Sequence, residues 1–503
     1  MKGQDILVLN MGMKSIRSII FHSDGEKLAY AARPLETQLD ADIVVQSPDE
    51  WWEKARMVIR ESLVDVGKEN IGYLTVTTSS SCLVYVDEKG QALDGCLMVS
   101  DKRGLSMQPR LREVFGEKAS SCPMLLKMLW VREAQPELFS RTAKFLAPND
   151  YLLARMTGRY VTDVFDAVKS GYDAKAASYP EQELNTLGFR IDQLPDVLPV
   201  GSVVGSLTAE AAEYLGLLPT TQAVLTTYDA ICSFFGSGVS EEGEASDVSG
   251  TVTVFRAFSR RNDLVPNPEI FLMPYPEQHM QIVGGSNNLG GGLIEWVKQC
   301  YYQKESYPYE VMEKDAGEAR IGADGLIFLP YLLGERAPLW NPDARGVFFG
   351  LERMHTRKEM TRAVFESTGF IDLDMIRAIE ATGMEVRRIR LSGGLARIHL
   401  VSEIKADVTG RDIEVLSEFE TTSTGAAMLA LTGVGVFSNL RAAADAFATV
   451  RMVIHPDAVR HRKYLRLFQL YKDTYHSLEG MFRERMDIVR HLNRKHEVRI
   501  ENL

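Results

Sequence analysis

Two stretches far apart in this chain are built alike: a β-rich run, a turn of small and polar residues, and a second β-rich run. Residues 6–9 lead through Asn10-Met11-Gly12 into 16–21, and Val248 leads through Ser249-Gly250-Thr251 into 252–258. Polar residues and glycine are poor strand interiors, so each break marks a tight hairpin. A chain of 503 residues is also too long for a single core. The two hairpins, one at the head of each half, therefore point to a duplicated α/β architecture of two large domains with a cleft between them. The acidic, glycine-containing segment 236–246 is the best boundary and gives domains 1–245 and 246–503. There is no short-period repeat or low-complexity tract.

The second hairpin follows closely on a single acid. Asp229 sits between the apolar run 223–225 and the apolar continuation 231–235. An acid close to a hydroxyl-rich glycine turn is what phosphoryl transfer to an alcohol needs: the acid accepts the alcohol's proton, and backbone N–H groups hold phosphate oxygens. The plain alternative makes Asp229 a helix N-cap and Ser249-Gly250-Thr251 an ordinary hairpin turn.

Two further glycine turns favour the first view. Gly393-Gly394 follows a β-like run (389–391) and precedes a helix-like segment (400–409), so a ring or phosphate can approach the backbone at a helix start. Residues 284–292 hold five glycines in nine positions and run into a helix at 293. They read as a nucleotide cradle or as a flexible loop. The run 325–346, GLIFLPYLLGERAPLWNPDARG, reads as a buried strand and a proline-stiffened loop whose charges pin the loop. Residues 162–172 read as a polar, substrate-facing loop. The long charged segment 459–492 reads as a packing helix pair.

A net charge of −11 argues against nucleic acid or an anionic membrane as partner, though an anionic substrate remains compatible with locally positive potential. The five cysteines (82, 96, 122, 232, 300) show no CxxC pairing, which fits reduced thiols and disfavours a zinc site. With no apolar run of transmembrane length and no signal-peptide pattern, a cytoplasmic protein is the expectation. A homodimer stays an open option.

Taken together, LPYLLGERAPLWNPDARG, LSGGLARIHLVSEIKADVTGR, STGAAMLALTGVG (423–435) and PNDYLLARMTGRYVTD (148–163) resemble the FGGY carbohydrate kinases of the actin-like ATPase superfamily. The resemblance runs from residue 5 to about 480. It implies two actin-like (ribonuclease H-like) α/β domains, each with a five-stranded sheet, closing over ATP, Mg²⁺ and a sugar. It carries the catalytic base onto Asp229, and the phosphate hairpins onto Gly12, Lys14 and Ser15 and onto Gly250 and Thr251. The adenosine site falls on Gly291, Gly292, Glu295, Gly393, Gly394 and Arg397. Ser80, Ser81, Asp101 and Arg103 lie where the family has substrate-side residues; the alternative for Asp101 and Arg103 is a surface ion pair.

Two departures stand out. The family has Asp in its first hairpin, where it helps to organise Mg²⁺ and phosphate, and this chain has Asn10. Lys14 is at hand to neutralise phosphate charge instead. Second, Ser79-Ser80-Ser81-Cys82 matches neither the QMHG-like segment of xylulokinases nor the Arg-Glu pair of glycerol kinases, so no substrate carries over. The expected activity is ATP-dependent phosphorylation of a ketose or sugar alcohol. Its rivals are a catalytically impaired sugar- and nucleotide-binding sensor and an ATPase acting on protein partners.

Overall fold

The computed structural model describes residues 5–275, 279–418 and 420–500, with side chains up to 492. The chain forms two compact units. The first comprises Met1–Ser240, Pro274–His279 and Glu420–Ala448; the second comprises Glu241–Met273, Met280–Phe419 and Thr449–Leu503.

The first unit is organised on a six-stranded sheet in the order Val203–Ser206, Gln222–Val224, Ile71–Thr78, Asp5–Met11, Ser15–Phe21, Lys27–Pro34. Asp5–Met11 is buried at every position. It runs parallel to Ile71–Thr78 and antiparallel to Ser15–Phe21. Such double coverage explains why it reads as a continuous apolar run and not as an alternation. The helix Pro48–Val66 starts at a Ser47 cap with Pro48 in its first turn, and it buries Trp51, Trp52, Ala55, Val58, Ile59 and Leu63. That spacing of three and four makes one face, which lies on the antiparallel strands. The helices Asp229–Gly236 and Thr421–Gly433 cross glycine to glycine: a Cβ on Gly236 would lie 1.8 Å from the Thr421 carbonyl oxygen, and one on Gly425 1.8 Å from that of Cys232.

The second unit repeats the plan. Its seven strands run Phe271–Tyr275, Met280–Ser286, Thr253–Ser259, Glu244–Ser249, Arg388–Gly393, Asp412–Leu416, Val450–Ile454. Glu244–Ser249 is antiparallel to Thr253–Ser259 and parallel to Arg388–Gly393, as Asp5–Met11 is to its two neighbours. The duplication expected from the two hairpins is thus present as topology. The sheets are larger than the five strands expected: each five-stranded core gains edge strands, Val203–Ser206 in the first and Val450–Ile454 and Phe271–Tyr275 in the second.

Two other expectations change. The segment 459–492 belongs to one helix, Ala458–Ile500, and not a pair. Gly480 is its one glycine within that stretch, and a lone glycine weakens a helix without ending it. Residues 162–172 are not one loop. They fold into the strand Val161–Thr162, the helix Val164–Ala167 and a 3-10 turn, with Asp163 and Asp166 buried. Among the described residues, no helix is long and apolar enough to cross a membrane.

Candidate active site

Asp229 opens the helix Asp229–Gly236 and is half-buried; the cap position belongs to Tyr228, which makes no side-chain cap hydrogen bond. Asp229 is therefore not the N-cap of the plain reading but an acid in the first helical turn. Threonines hold the approach to it. Thr77 Oγ1 donates to the Thr227 carbonyl at 2.8 Å, and Thr226 Oγ1 donates to the Val76 carbonyl at 3.0 Å. Thr226 and Thr75 hydroxyls meet at 2.7 Å. These buried bonds fasten residues 226–227 to the end of the strand Ile71–Thr78. They fix where the helix begins, and so where its first carboxylate stands.

The first hairpin lies in the same unit. Gly12 N–H closes it onto the Ser15 carbonyl at 3.0 Å, so the tip is 12–14 and Asn10 sits inside the strand, not at the tip as the sequence suggested. Gln46 Nε2 holds the Met13 carbonyl at 2.8 Å and is itself held by Trp51 Nε1 at 3.0 Å. Lys14 is exposed.

Asn10 is 1% exposed and fully engaged. Its Nδ2 donates to Glu420 Oε1 at 3.0 Å and to Ser423 Oγ at 2.9 Å, while its Oδ1 accepts from Arg17 at 3.4 Å. Arg17 also pairs with Glu420 at 2.5 Å. The carboxylate missing at position 10 thus has a neighbour, Glu420, on the approach to the helix Thr421–Gly433. Asn10→Asp would set a second, buried carboxylate against it, and both burial and like charge raise a carboxyl pKa. A group with a raised folded-state pKa contributes stability below its unfolded pKa and loses it as pH rises through the folded value. Asn10→Asp should therefore cost about 1–3 kcal/mol at pH 8 without divalent cation and less at pH 5. Added Mg²⁺ should recover part of the loss at pH 8. Melting curves at the two pH values check this. The absence of any loss at pH 8 would mean that Arg17 alone neutralises the new charge.

The candidate substrate residues divide. Ser80 and Ser81 are half-buried, with hydroxyls 3.0 Å apart. Lys169 Nζ donates to Ser80 Oγ, and Lys127 Nζ donates to the Ser81 carbonyl at 2.5 Å. Asp101 is different: its carboxylate accepts from Val44 N–H at 3.0 Å and from Arg103 Nε and NH2, the latter at 2.7 Å. Its side chain has no exposure. Arg103 also stacks on Trp130, 4.4 Å from the ring centre. In this structure the pair pins a loop. Beneath the serines, Asn149 bridges Thr78 Oγ1 (3.3 Å) and Asp166 Oδ2 (3.2 Å), tying the motif 148–163 to the strand end. Burial pushes the Asp150 and Asp163 carboxyls well up.

In the second unit, two glycine turns converge on a third, residues 249–251. Gly290, Gly291 and Gly292 N–H groups donate to the carbonyls of Thr251, Gly250 and Thr251 at 2.9, 2.7 and 3.1 Å. A Cβ on Gly291 would stand 2.7 Å from Gly250 O. The glycine-rich loop therefore grips the turn, and its glycines are required by that close approach. From the other side, Gly393 lies beside Ser249 in parallel register, with φ +86° and room for no Cβ, which would stand 2.5 Å from Ser249 O. Gly394 is exposed, with its nearest neighbour at 3.8 Å from the Cβ position. Gly250, Thr251 and Arg397 are exposed as well. Glu295 pairs with Lys298 and accepts from the Tyr309 hydroxyl.

The two glycines separate cleanly in a test. Gly393→Ala should cost about 1–3 kcal/mol of stability through strained backbone. Gly394→Val should leave folding nearly unchanged and raise KM for ATP, with KM for sugar unmoved. Melting temperature and both KM values check this; equal effects on both KM values would make Gly394 a packing turn.

The charged loop 334–346 does pin its surroundings. Glu335 Oε1 accepts from Asn288 N–H and Arg336 N–H, both at 2.8 Å, and Arg336 holds the Asn287 carbonyl at 2.5 Å. Burial pushes the Glu335 carboxyl up to about 7. Beneath the turn lies a group the sequence did not disclose. Lys405 Nζ is 2.5 Å from Asp247 Oδ2 and 2.6 Å from Asp372 Oδ2, all three side chains being at most 1% exposed. Asp247 Oδ1 accepts from Ser249 Oγ at 2.5 Å, and Ser249 meets the Thr253 hydroxyl at 3.0 Å. Arg17, Glu420, Ser423 and Lys169 were missed too. The available signal was a charge flanked by apolar neighbours, as at Asp372 between Ile371 and Leu373.

Comparison with known proteins fits this geometry. Residues 6–236 match the N-terminal domain of the FGGY family of carbohydrate kinases, and residues 245–434 match its C-terminal domain. The xylulose kinase of Bacillus subtilis (strain 168) is 27% identical over 483 residues, covering 93% of this chain and 96% of the relative. The gluconokinase of the same organism is 26% identical over 512 residues, covering 97% and 98%. Among solved structures, xylulose kinase from Rhodospirillum rubrum superposes with a TM-score of 0.88 at 24% identity, covering 95% of this chain and 100% of that one. Gluconate kinase from Lactobacillus acidophilus gives 0.87 at 24%, covering 95% and 99%. The chain belongs to the FGGY family of carbohydrate kinases, enzymes that transfer a phosphoryl group to an alcohol acceptor.

Proposed function

We propose that this enzyme phosphorylates a hydroxyl of a small sugar or sugar derivative at the expense of ATP, with Asp229 as general base. The observation that carries the reading is the convergence of two glycine turns on the exposed Gly250-Thr251 turn, together with a half-exposed acid at a fixed helix start. A phosphoryl transfer to an alcohol asks for little covalent chemistry and much positioning. The chain carries a proton acceptor in one unit and a close-approach cradle in the other.

In this mechanism Asp229 orients the attacking hydroxyl and takes its proton as the bond to phosphorus forms. The N–H groups of the turns at Gly12 and Gly250-Thr251 donate to phosphate oxygens. Arg17 and Lys14 offset charge on the phosphates. Exposed Gly394 lets the adenosine lie on the backbone. The Glu420 carboxylate and the Asn10 amide oxygen, oxygen donors near the first hairpin, are the residues that would hold Mg²⁺. Such an ion supplies further neutralisation of the phosphate charge.

The relatives' names span a neutral ketose and a sugar acid, so the test is a panel of ketoses, polyols and sugar acids read by ATP consumption. Turnover dependent on one sugar is the expected result. Binding of sugar and nucleotide without turnover would favour the sensor reading.

A further inference from the structure

We infer that the substrate carries a carboxylate, and that Lys169 with Ser80 binds it; this rests on the kinase reading above and names the substrate class. Lys169 stands out because it is a nearly buried cation set against the residue next to the candidate base. Its Nζ lies 3.2 Å from the centre of the Tyr228 ring, and Tyr228 directly precedes Asp229. The same ammonium donates to Ser80 Oγ. Ser80 lies beside Ser81, whose carbonyl accepts from Lys127. Two lysines, two serines and the Tyr228 ring are therefore drawn together at the end of the strand Ile71–Thr78, where the approach to Asp229 is also fastened.

Two ammonium groups reach the serine segment in a molecule whose net charge is −11. Burial lowers the proton affinity of Lys127; Cys82, Cys96 and Asp101 oppose that, and the Lys169 charge adds a smaller push in the same direction as burial. Besides the nearby charge of Asp163, Lys169 faces Asp166 in an ion pair at 3.6 Å, too far for a hydrogen bond. That pair is also lopsided: the Asp166 side chain is 1% exposed and that of Lys169 11%, so the cation is the end turned towards solvent. Ordering and burying a lysine is costly unless an anion offsets it. A neutral ketose or polyol gives that ammonium only hydroxyl oxygens. A carboxylate gives it a charge-assisted hydrogen bond, with the Ser80 hydroxyl as a second donor. One lysine with one hydroxyl suits a monoanion, so a sugar carboxylate fits better than a phosphomonoester.

The direct test measures dissociation constants by calorimetry, at fixed ionic strength, for C5 and C6 aldonates, each against its alditol, its ketose and an alditol phosphate. At least one aldonate should bind about tenfold or more tighter than its neutral and phosphorylated counterparts, as a charge-assisted contact predicts. Lys169→Met should remove about tenfold or more of the aldonate affinity and shrink the preference over the alditol, while Lys169→Arg should keep most of it. Melting curves identify a variant that fails to fold, in which case Lys169→Arg and the wild-type ranking decide. An alditol, ketose or phosphate bound more tightly than every aldonate overturns the inference. So does a panel with no binder, or a Lys169→Met that weakens acid and alditol alike. ATP consumption on the same panel keeps the two claims apart. Selective aldonate binding without turnover sinks the kinase reading and not this one; turnover of neutral sugars alone does the reverse.

Discussion

Lys405→Met should destabilise the protein by about 3–5 kcal/mol at pH 8, because it strands two buried carboxylates. Asp247 and Asp372 each meet the ammonium within 2.6 Å and have no route to water. Burial raises the Asp372 carboxyl well above the usual range and the neighbouring Asp247 adds to the rise; Lys405 opposes both. Without the lysine, the folded-state pKa of Asp372 climbs further. The penalty is thus largest at high pH and shrinks as pH falls and one carboxyl takes up a proton. Chemical denaturation at pH 8 and pH 5.5 should show the deficit narrowing by a large fraction. The triple variant Lys405→Met/Asp247→Asn/Asp372→Leu should recover most of the stability, since replacing a whole buried ion group is often neutral. The single variant should also loosen the turn, because Asp247 anchors Ser249, and KM for ATP should rise. A loss below about 1 kcal/mol that ignores pH would show that the carboxylates find other partners.

The sequence and the structure agree where short-range patterns suffice. The hairpins at 10–15 and 249–251 and the paired glycines at 393–394 were legible because a turn needs particular residues within a few positions. The repeated hairpins announced two sheets of one topology, and the charges of 334–346 read correctly as loop pins. What escaped depends on residues that meet only through the fold. Asn10 contacts Glu420 across 410 positions, and Asp247 contacts Lys405 across 158, so neither spacing nor period points from one to the other. The role of 284–292 was half legible: five glycines implied a close approach, but the partner is the backbone of Gly250 and Thr251. Residues 162–172 misread as a polar loop for a related reason. Their carboxyls are buried under the serine segment, and burial of an acid leaves no mark in composition.

The central claim is that Asp229 is the base. A sugar hydroxyl is a weak nucleophile at neutral pH, and a positioned carboxylate that takes its proton contributes about 10²–10⁴-fold in rate. Asp229→Asn keeps the size and most of the hydrogen bonding, and removes the basicity. Because Asp229 occupies the first helical turn behind the Tyr228 cap, its charge also favours the helix dipole, a term of about 0.3–1 kcal/mol. If that were its whole role, the variant would lose a degree or two of melting temperature and keep its turnover. As the base, it should lose at least about a hundredfold in kcat while binding sugar and ATP within a few-fold of the wild type. The deciding measurement is kcat of folded Asp229→Asn on the preferred sugar, with its melting temperature alongside. A drop of a hundredfold or more at near-normal affinity is the predicted result, and near-normal turnover in a folded variant would contradict the mechanism.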